Sequence, residues 1–276
     1  MQINVLQCRS GRDFDENLAF LREQFEMLPQ VEHEQQLVVL PECVLLFGGH
    51  ESLQIRALGE GNENPFTQAL AELASQYQVY LVAGTVPELS QDGRFYSRCY
   101  VFDPQGQVMG QYDKLHLFDV DVADGTKQYR ESETFCPGEH VAVVDTPLGK
   151  IGLAICYDLR FPELFQAMRE QGAEIIALPA AFTKVTGKAH WQTLLQARAI
   201  ETQTYVVAAA QWGQHPTSRR ETWGHSMIVN PWGEIMAEKP SDIGWVQAKP
   251  DFAKMNRIRN EMPVLEHKRF QSAVLK

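Results

Sequence analysis

The chain has 276 residues, 44% of them hydrophobic and 22% charged, with a formal net charge of −10. Such a composition is globular, and a chain of this length buries roughly three quarters of its unfolded surface without disulfide or metal staples. No basic cluster is denser than the pair Arg219–Arg220, which excludes nucleic-acid binding by counterion release, and no run approaches the ~20 apolar residues of a membrane helix.

Ile3–Cys8 opens the chain as a strand, lacking the charged-then-apolar pattern of a secretion signal. Phe14, Leu18, Leu21, Phe25 and Leu28 then recur at three- and four-residue spacing and predict a helix. Leu37–Pro41 is a short apolar strand. Phe66, Leu70, Leu73 and Tyr77 form a second helical face, with Asn64 as N-cap and Pro65 at the first position. Strands follow at Tyr80–Val86, Cys99–Asp103, Val108–Tyr112 and Ile151–Tyr157. A helix from Pro162 to Gln171 is stopped by Gly172. Glu174–Leu178 is a strand, Lys188–Thr202 a helix, and Tyr205–Ala210, Ser226–Asn230 and Ile235–Ala237 are strands. Several strands are apolar throughout, as in sheets covered on both faces. The stretch Asp251–Lys276 mixes charge with Phe252, Met255, Ile258 and Leu265; it reads as a C-terminal arm crossing to a partner subunit or as a surface helix. Five cysteines without paired spacing suggest free thiols in a reducing compartment, the cytoplasm.

The two halves of the chain echo each other. Ile3–Cys8 aligns with Ile151–Cys156, Leu37–Pro41 with Ile175–Pro179, Tyr80–Ala83 with Tyr205–Ala208, and Phe102–Gly106 with Val229–Gly233. No Ser/Gly- or Pro-rich linker separates them. The echo predicts two similar sheets, each with helices on its outer face, packed into one domain spanning residues 1–276.

Four places pair a reactive residue with a suitable setting. Cys156 ends an apolar strand shortly before the helix opened by Pro162. Free backbone amides at such a strand-to-helix turn favour a thiolate and can hold an oxyanion; a buried packing cysteine is the alternative. Glu42 ends the second strand, where lost solvation raises a carboxyl pKa toward that of a general base, unless it is a capping or surface acid. Lys114 lies in the aromatic-rich Tyr112–Asp119 segment; a buried ammonium must be paired, structurally or against a transition state. His116 beside it reads as a structural histidine. Glu131 or Glu133, in the polar Tyr129–Gly138 segment, can brace these charges or face water. No His-Glu-x-x-His, phosphate loop or nucleophile elbow is present, and Cys8, Cys43, Cys99 and Cys136 read as packing thiols.

Leu-Pro-Glu42, Tyr-x-Lys114-x-His-Leu and Cys156-Tyr-Asp-x-Arg-Phe-Pro-Glu163, in that order, resemble the nitrilase (carbon–nitrogen hydrolase) superfamily over Gln2–Phe270. Its fold is an α/β four-layer α-β-β-α sandwich, in line with the echo. The resemblance implies Cys156 as nucleophile, Glu42 as general base, Lys114 as stabiliser of the transition state and Glu131 as supporting acid, with no metal or organic cofactor. The oxyanion would lie between Lys114 and the Tyr157 amide. Cys-Tyr-Asp, together with Ala180–Thr183, Thr186–Trp191, Arg198–Glu201 and Gly224–Met227, is similar to the deaminated glutathione amidase and omega-amidase branch; true nitrilases usually carry Cys-Trp-Glu. It implies a cysteine-dependent amidase hydrolysing a small carboxamide, deaminated glutathione or an omega-amide of a 2-oxo dicarboxylic acid, to the carboxylate and ammonia through a thioester, in a homodimer or higher homo-oligomer. The alternatives are an N-carbamoyl amino acid hydrolase, a nitrilase or a non-catalytic relative. Arg160 either forks onto a substrate carboxylate or pairs with Glu163 or Asp158, and Thr183 lines the pocket by its place after the Leu178–Pro179 strand end.

Overall fold

In a computed structural model, described for residues 1–29, 31, 34–48, 64–124, 128–216 and 220–270, each half of the chain repeats one order of elements. The first half runs β1 (Gln2–Gln7), α1 (Phe14–Glu26), β2 (Gln36–Val39), α2 (Pro65–Tyr77), β3 (Tyr80–Val82), β4 (Val86–Leu89), β5 (Phe95–Phe102) and β6 (Val108–Asp113). A ribbon of β7 (Asp119–Asp121) and β8 (Gln128–Arg130) leads to the second half. That half contains β9 (Val143–Thr146), β10 (Gly149–Leu153), α3 (Pro162–Glu170), β11 (Ile175–Ala180), α4 (Lys184–Thr202) and β12 (Tyr205–Ala210). A second ribbon, β13 (Trp212–Gln214) and β14 (Glu221–Trp223), precedes β15 (Ser226–Val229), β16 (Ile235–Lys239), β17 (Gly244–Ala248), α5 (Phe252–Glu261) and α6 (Val264–His267).

Two sheets result. One has the order β17-β1-β2-β3-β5-β4, with β6 also on β5; the other has the order β16-β15-β12-β11-β10-β9. In both, three strands run parallel (β1-β2-β3 and β10-β11-β12) and the next returns antiparallel. The echo is therefore a repeat of topology, with β1 standing where β10 stands.

Strand alternation explains the layering, because successive side chains point to opposite faces. Ile3, Val5, Leu37 and Val39 join the core between the sheets, whereas Leu6, Val38 and Leu40 pack beneath α1 and α2 with Leu21, Phe25 and Leu70. On the other side Phe165 and Met168 of α3 and Trp191 and Leu195 of α4 close over β10–β12. Burying a Leu, Ile or Phe side chain is worth roughly 1.5–3 kcal/mol, and both faces of each central strand do so. The chain is thus the α-β-β-α sandwich the motifs imply. Among the described residues no helix is long and apolar enough to cross a membrane.

Some boundaries move, for local reasons. The expected strand Tyr80–Val86 breaks at Gly84, whose φ is +67° and where a Cβ would lie 2.2 Å from the Pro41 carbonyl oxygen. The expected strand Ile151–Tyr157 ends at Leu153, and Cys156–Arg160 form a 3-10 turn. Helix α4 starts four residues before Lys188, because Thr183 caps it and Gly187 leaves room for Trp223, which a Cβ would meet at 2.3 Å. From 251 onward, α5 lies on its own chain: Met255 is fully buried in the core and Arg259 donates to the Ala173 and Gln203 carbonyls.

Candidate active site

Glu42, Lys114 and Cys156 leave the ends of β2, β6 and β10 and converge. The Lys114 ammonium, 2% exposed, donates to Glu42 Oε1 at 2.9 Å and to both Glu131 oxygens at 2.8 and 2.9 Å. Glu131 is held from behind by the Phe118 amide at 2.6 Å; Glu133 is exposed, so Glu131 is the acid that reaches the lysine. The Cys156 thiol lies within electrostatic reach of the Glu42 carboxylate, the Lys114 ammonium and the Ala181 amide. Cys156 opens its 3-10 turn at φ +46°, a left-handed conformation that costs a non-glycine residue roughly 1–2 kcal/mol. Glu42 is fixed at its backbone, where its carbonyl accepts from Gln211 Nε2 at 3.0 Å and the next amide donates to Thr85 Oγ1 at 2.9 Å.

A carboxylate and an ammonium braced around one thiol can move a proton and receive a negative oxygen without a metal. The family model for carbon–nitrogen hydrolases matches residues 3–260. The chain belongs to the carbon–nitrogen hydrolase family. It is 46% identical over 275 residues to a deaminated glutathione amidase of Yersinia enterocolitica, covering 99% of this chain and 94% of that one. It is 37% identical over 234 residues to omega-amidase NIT2 of Homo sapiens, covering 85% and 83%. Among solved structures, the C. elegans NitFhit protein superposes with a TM-score of 0.86 at 36% identity, over 97% of this chain and 65% of that one. Saccharomyces cerevisiae Nit3 superposes at 0.82 and 31%, over 98% and 97%.

In this carbon–nitrogen hydrolase the three side chains are buried, and their electrostatics follow from that. Burial, then the negative charge of Glu42, raises the Cys156 thiol well above its ordinary pKa against the opposing pull of Lys114 and the Ala181 amide. The sulfur therefore rests protonated. Burial works against the Lys114 ammonium, but the charges of Glu131 and Glu42 outweigh it and hold the group protonated. Burial raises Glu131, with Lys114 pulling the other way.

The remaining expected residues surround this trio. Tyr157 sits in the Cys156 turn, edge-on to Phe118 and Phe161 at 5.1 and 5.3 Å between ring centroids. Arg160 lies over the Tyr157 and Phe182 rings at 5.8 and 5.2 Å and hydrogen-bonds His190; among the described residues it makes no ion pair with Glu163 or Asp158. Thr183 is buried as the α4 cap, its hydroxyl spent on Thr186. Arg198, itself buried, pairs with Glu201 at 2.9 Å. Sequence reasoning missed the Ala181 amide at the sulfur and the use made of Asp158, a fully buried carboxylate two residues beyond the cysteine. An acid amid apolar neighbours was the available signal.

Proposed function

We propose that the protein is a cysteine-dependent amidase, acting on deaminated glutathione or an omega-amide of a 2-oxo dicarboxylic acid through a thioester. The observation that carries it is the Lys114 ammonium bound to Glu42 beside the Cys156 thiol. Glu42 takes the thiol proton as sulfur attacks the amide carbon, and the oxyanion falls between Lys114 and the Tyr157 amide. Preorganised donors of this kind are typically worth ~3–4 kcal/mol each. The intermediate collapses as Glu42 returns that proton to the departing nitrogen, which leaves as ammonia or an amine. Glu42 then takes a proton from a water that attacks the thioester carbon, the carbon–sulfur bond breaks as sulfur takes that proton back from Glu42, and the carboxylic acid is released with the thiol and carboxylate restored. Glu131 keeps Lys114 charged and aimed.

Substrate choice rests on the relatives' names and on Arg160. Its guanidinium, steadied on two rings four residues beyond Cys156, is the group we assign to the substrate carboxylate. Tyr157 and Thr183 belong to the same wall, Thr183 through the Ala181–Phe182 segment it anchors. We further propose that residues 1–276 form one domain with 251–276 as its C-terminal arm, that the chain is cytoplasmic, and that it works as a homodimer or higher homo-oligomer.

Ammonia release from 2-oxoglutaramate and amine release from deaminated glutathione test the reading. Glu42→Gln is expected to lower turnover roughly 10²- to 10⁴-fold while the protein stays folded. Wild-type turnover in that variant would overturn the assignment; light scattering tests the oligomer.

A further inference from the structure

Lys114 leaves β6 in one sheet and Cys156 leaves β10 in the other. No strand pairing joins those two ends, yet an oxyanion hole works only when its donors stand about 3 Å from the developing charge. One fully buried side chain spans the gap. Asp158 accepts four hydrogen bonds: Oδ2 takes the Ile155 amide at 2.9 Å and the Tyr112 hydroxyl at 2.8 Å, while Oδ1 takes the His116 amide at 3.1 Å and His116 Nδ1 at 2.7 Å. Ile155 directly precedes the cysteine. Tyr112 and His116 flank Lys114 two residues to either side.

We propose that Asp158, His116 and Tyr112 form a clamp that sets the separation of the Lys114 ammonium from the Cys156 sulfur, and that all three are positioning residues for hydrolysis. The proposal rests on the roles assigned above to Cys156 and Lys114.

Three physical points favour it. A buried carboxylate is costly unless its lone pairs are filled, and every bond that fills these comes from the segments carrying the reacting groups. The left-handed Cys156 needs restraint on both sides, which the Asp158 side chain gives through the Ile155 amide and the Asp158 amide through the Ile155 carbonyl at 3.0 Å. His116 is in turn stacked on Phe161 at 3.6 Å and 6°, and Phe161 abuts the Tyr157 ring, so the clamp also reaches the residue whose amide faces the oxyanion. With Nδ1 donating to Asp158, the tautomer and ring orientation are set, as when a carboxylate orients a catalytic imidazole.

A clamp differs from ordinary packing in what its loss changes. Asp158→Asn turns one acceptor into a donor facing donors, and a displacement of about 1 Å in the site costs roughly 10²-fold in rate. We expect kcat to fall by roughly that factor with KM within about threefold, and alkylation of Cys156 by iodoacetamide to slow in parallel. His116 lies at the edge with its side chain 26% exposed, so His116→Ala leaves the core intact and is expected to lower kcat roughly 10-fold. His116→Asn, whose amide can stand in for Nδ1–H, restores most of it. Tyr112→Phe behaves like His116→Ala. Should Asp158→Asn fail to fold, the His116 and Tyr112 variants decide alone. Wild-type kcat and alkylation rate in both, or losses that only follow melting temperature and are not rescued in His116→Asn, would overturn the clamp. Persistent turnover in Cys156→Ala would instead sink the underlying assignment, whatever the clamp variants do.

Discussion

The end of β1 and the end of β10 are the same place in the two halves of the molecule, and each carries a cysteine. Cys8 is fully buried, its carbonyl accepting from Trp212 N at 2.8 Å and its thiol facing the Gln211 side chain at 3.7 Å. Burial pushes that thiol up to about 12. Cys156 instead turns left-handed, opens a 3-10 turn and meets Glu42. Glu42 has a twin as well: the echo pairs it with Ala180, which stays in β11. Each half thus supplies part of one site, the first Glu42 and Lys114 and the second Cys156. The duplicated ends were put to different use. Around Cys8, Gln211 accepts from the Ser10 amide and donates to Ser10 Oγ and to the Glu42 carbonyl, at 2.9, 2.9 and 3.0 Å, so the surroundings of Cys8 hold the backbone of Glu42. Position at a strand end does not by itself bring a thiol to a charged partner; at Cys156 the left-handed 3-10 turn does so.

Exchanging the two thiols for alanine is the strongest way to break this comparison. Cys156→Ala is expected to lower amide turnover roughly 10⁴- to 10⁶-fold, as loss of a nucleophile does in other covalent hydrolases. Cys8→Ala is expected to keep turnover and cost about 1–2 kcal/mol of stability in a denaturant titration. Equal activity losses would mean that both thiols serve the chemistry.

Removing the cation sharpens the same contrast. Lys114→Met leaves Glu42 and Glu131 buried with no positive partner, and breaking a buried pair in this way costs roughly 3–5 kcal/mol. Turnover should fall roughly 10²- to 10³-fold. Substituting Lys150, whose pair with Asp145 at 3.4 Å is half exposed, should change stability by less than about 1 kcal/mol. Thermal unfolding and turnover on the same samples separate the two.

Much of this was legible before any coordinates. Ile3, Val5, Val38 and Ile175 are apolar on alternate faces, so both faces had to be covered, and Pro65, Pro162 and Gly172 mark helix ends by backbone geometry alone. Glu42 and Cys156 could be read because each follows an apolar strand, and Lys114 because a lysine in an aromatic-rich segment must find a partner for its charge. What escaped depends on direction in space. Arg160 had nearby acids in sequence, but Asp158 is filled by four other donors and the guanidinium lies on rings instead. Val185 and Gly187 hide the first turn of α4, since neither favours helix and only Trp223, 36 residues later, explains the glycine. The ribbons β7–β8 and β13–β14 are short and polar, with little hydrophobic period to detect.

The surroundings of Cys8 also predict a pH effect. His215 Nδ1 donates to the Ser10 carbonyl at 2.9 Å, Nε2 meets Thr222 Oγ1 at 2.8 Å, and the ring stacks on Phe47 at 3.6 Å. Since a carbonyl only accepts, Nδ1 carries the proton. Burial lowers the imidazole to about 4 from 6.5. The unfolded chain therefore binds the extra proton first: the stabilisation is complete above about pH 6.5 and is lost as pH falls toward about 4, by about 3 kcal/mol. Denaturant midpoints at pH 7 and pH 5 should differ in the wild type and converge in His215→Asn. No change in slope with that variant would assign the acid sensitivity elsewhere.

The smallest effects lie in the twin turns after β5 and β15. Asp103 Oδ1 accepts from the Gln105 and Gln107 amides, as Asn230 Oδ1 does from Trp232 and Glu234, and both turns close on a left-handed glycine, Gly106 at φ +76° and Gly233 at φ +85°. An alanine at either pays the same conformational penalty, about 1 kcal/mol. The surroundings differ. A Cβ on Gly106 would stand 2.6 Å from the Ala71 carbonyl oxygen, a backbone atom of α2 that cannot turn aside. A Cβ on Gly233 would meet only the end of Ile200, a side chain 55% exposed and free to rotate. Gly233→Ala is therefore expected to cost about 1 kcal/mol and Gly106→Ala about 2 kcal/mol, the difference being overpacking against fixed backbone. Equal costs in urea titrations would mean that α2 yields as easily as one surface side chain, and that the two halves are closer to equivalent in rigidity than their packing implies.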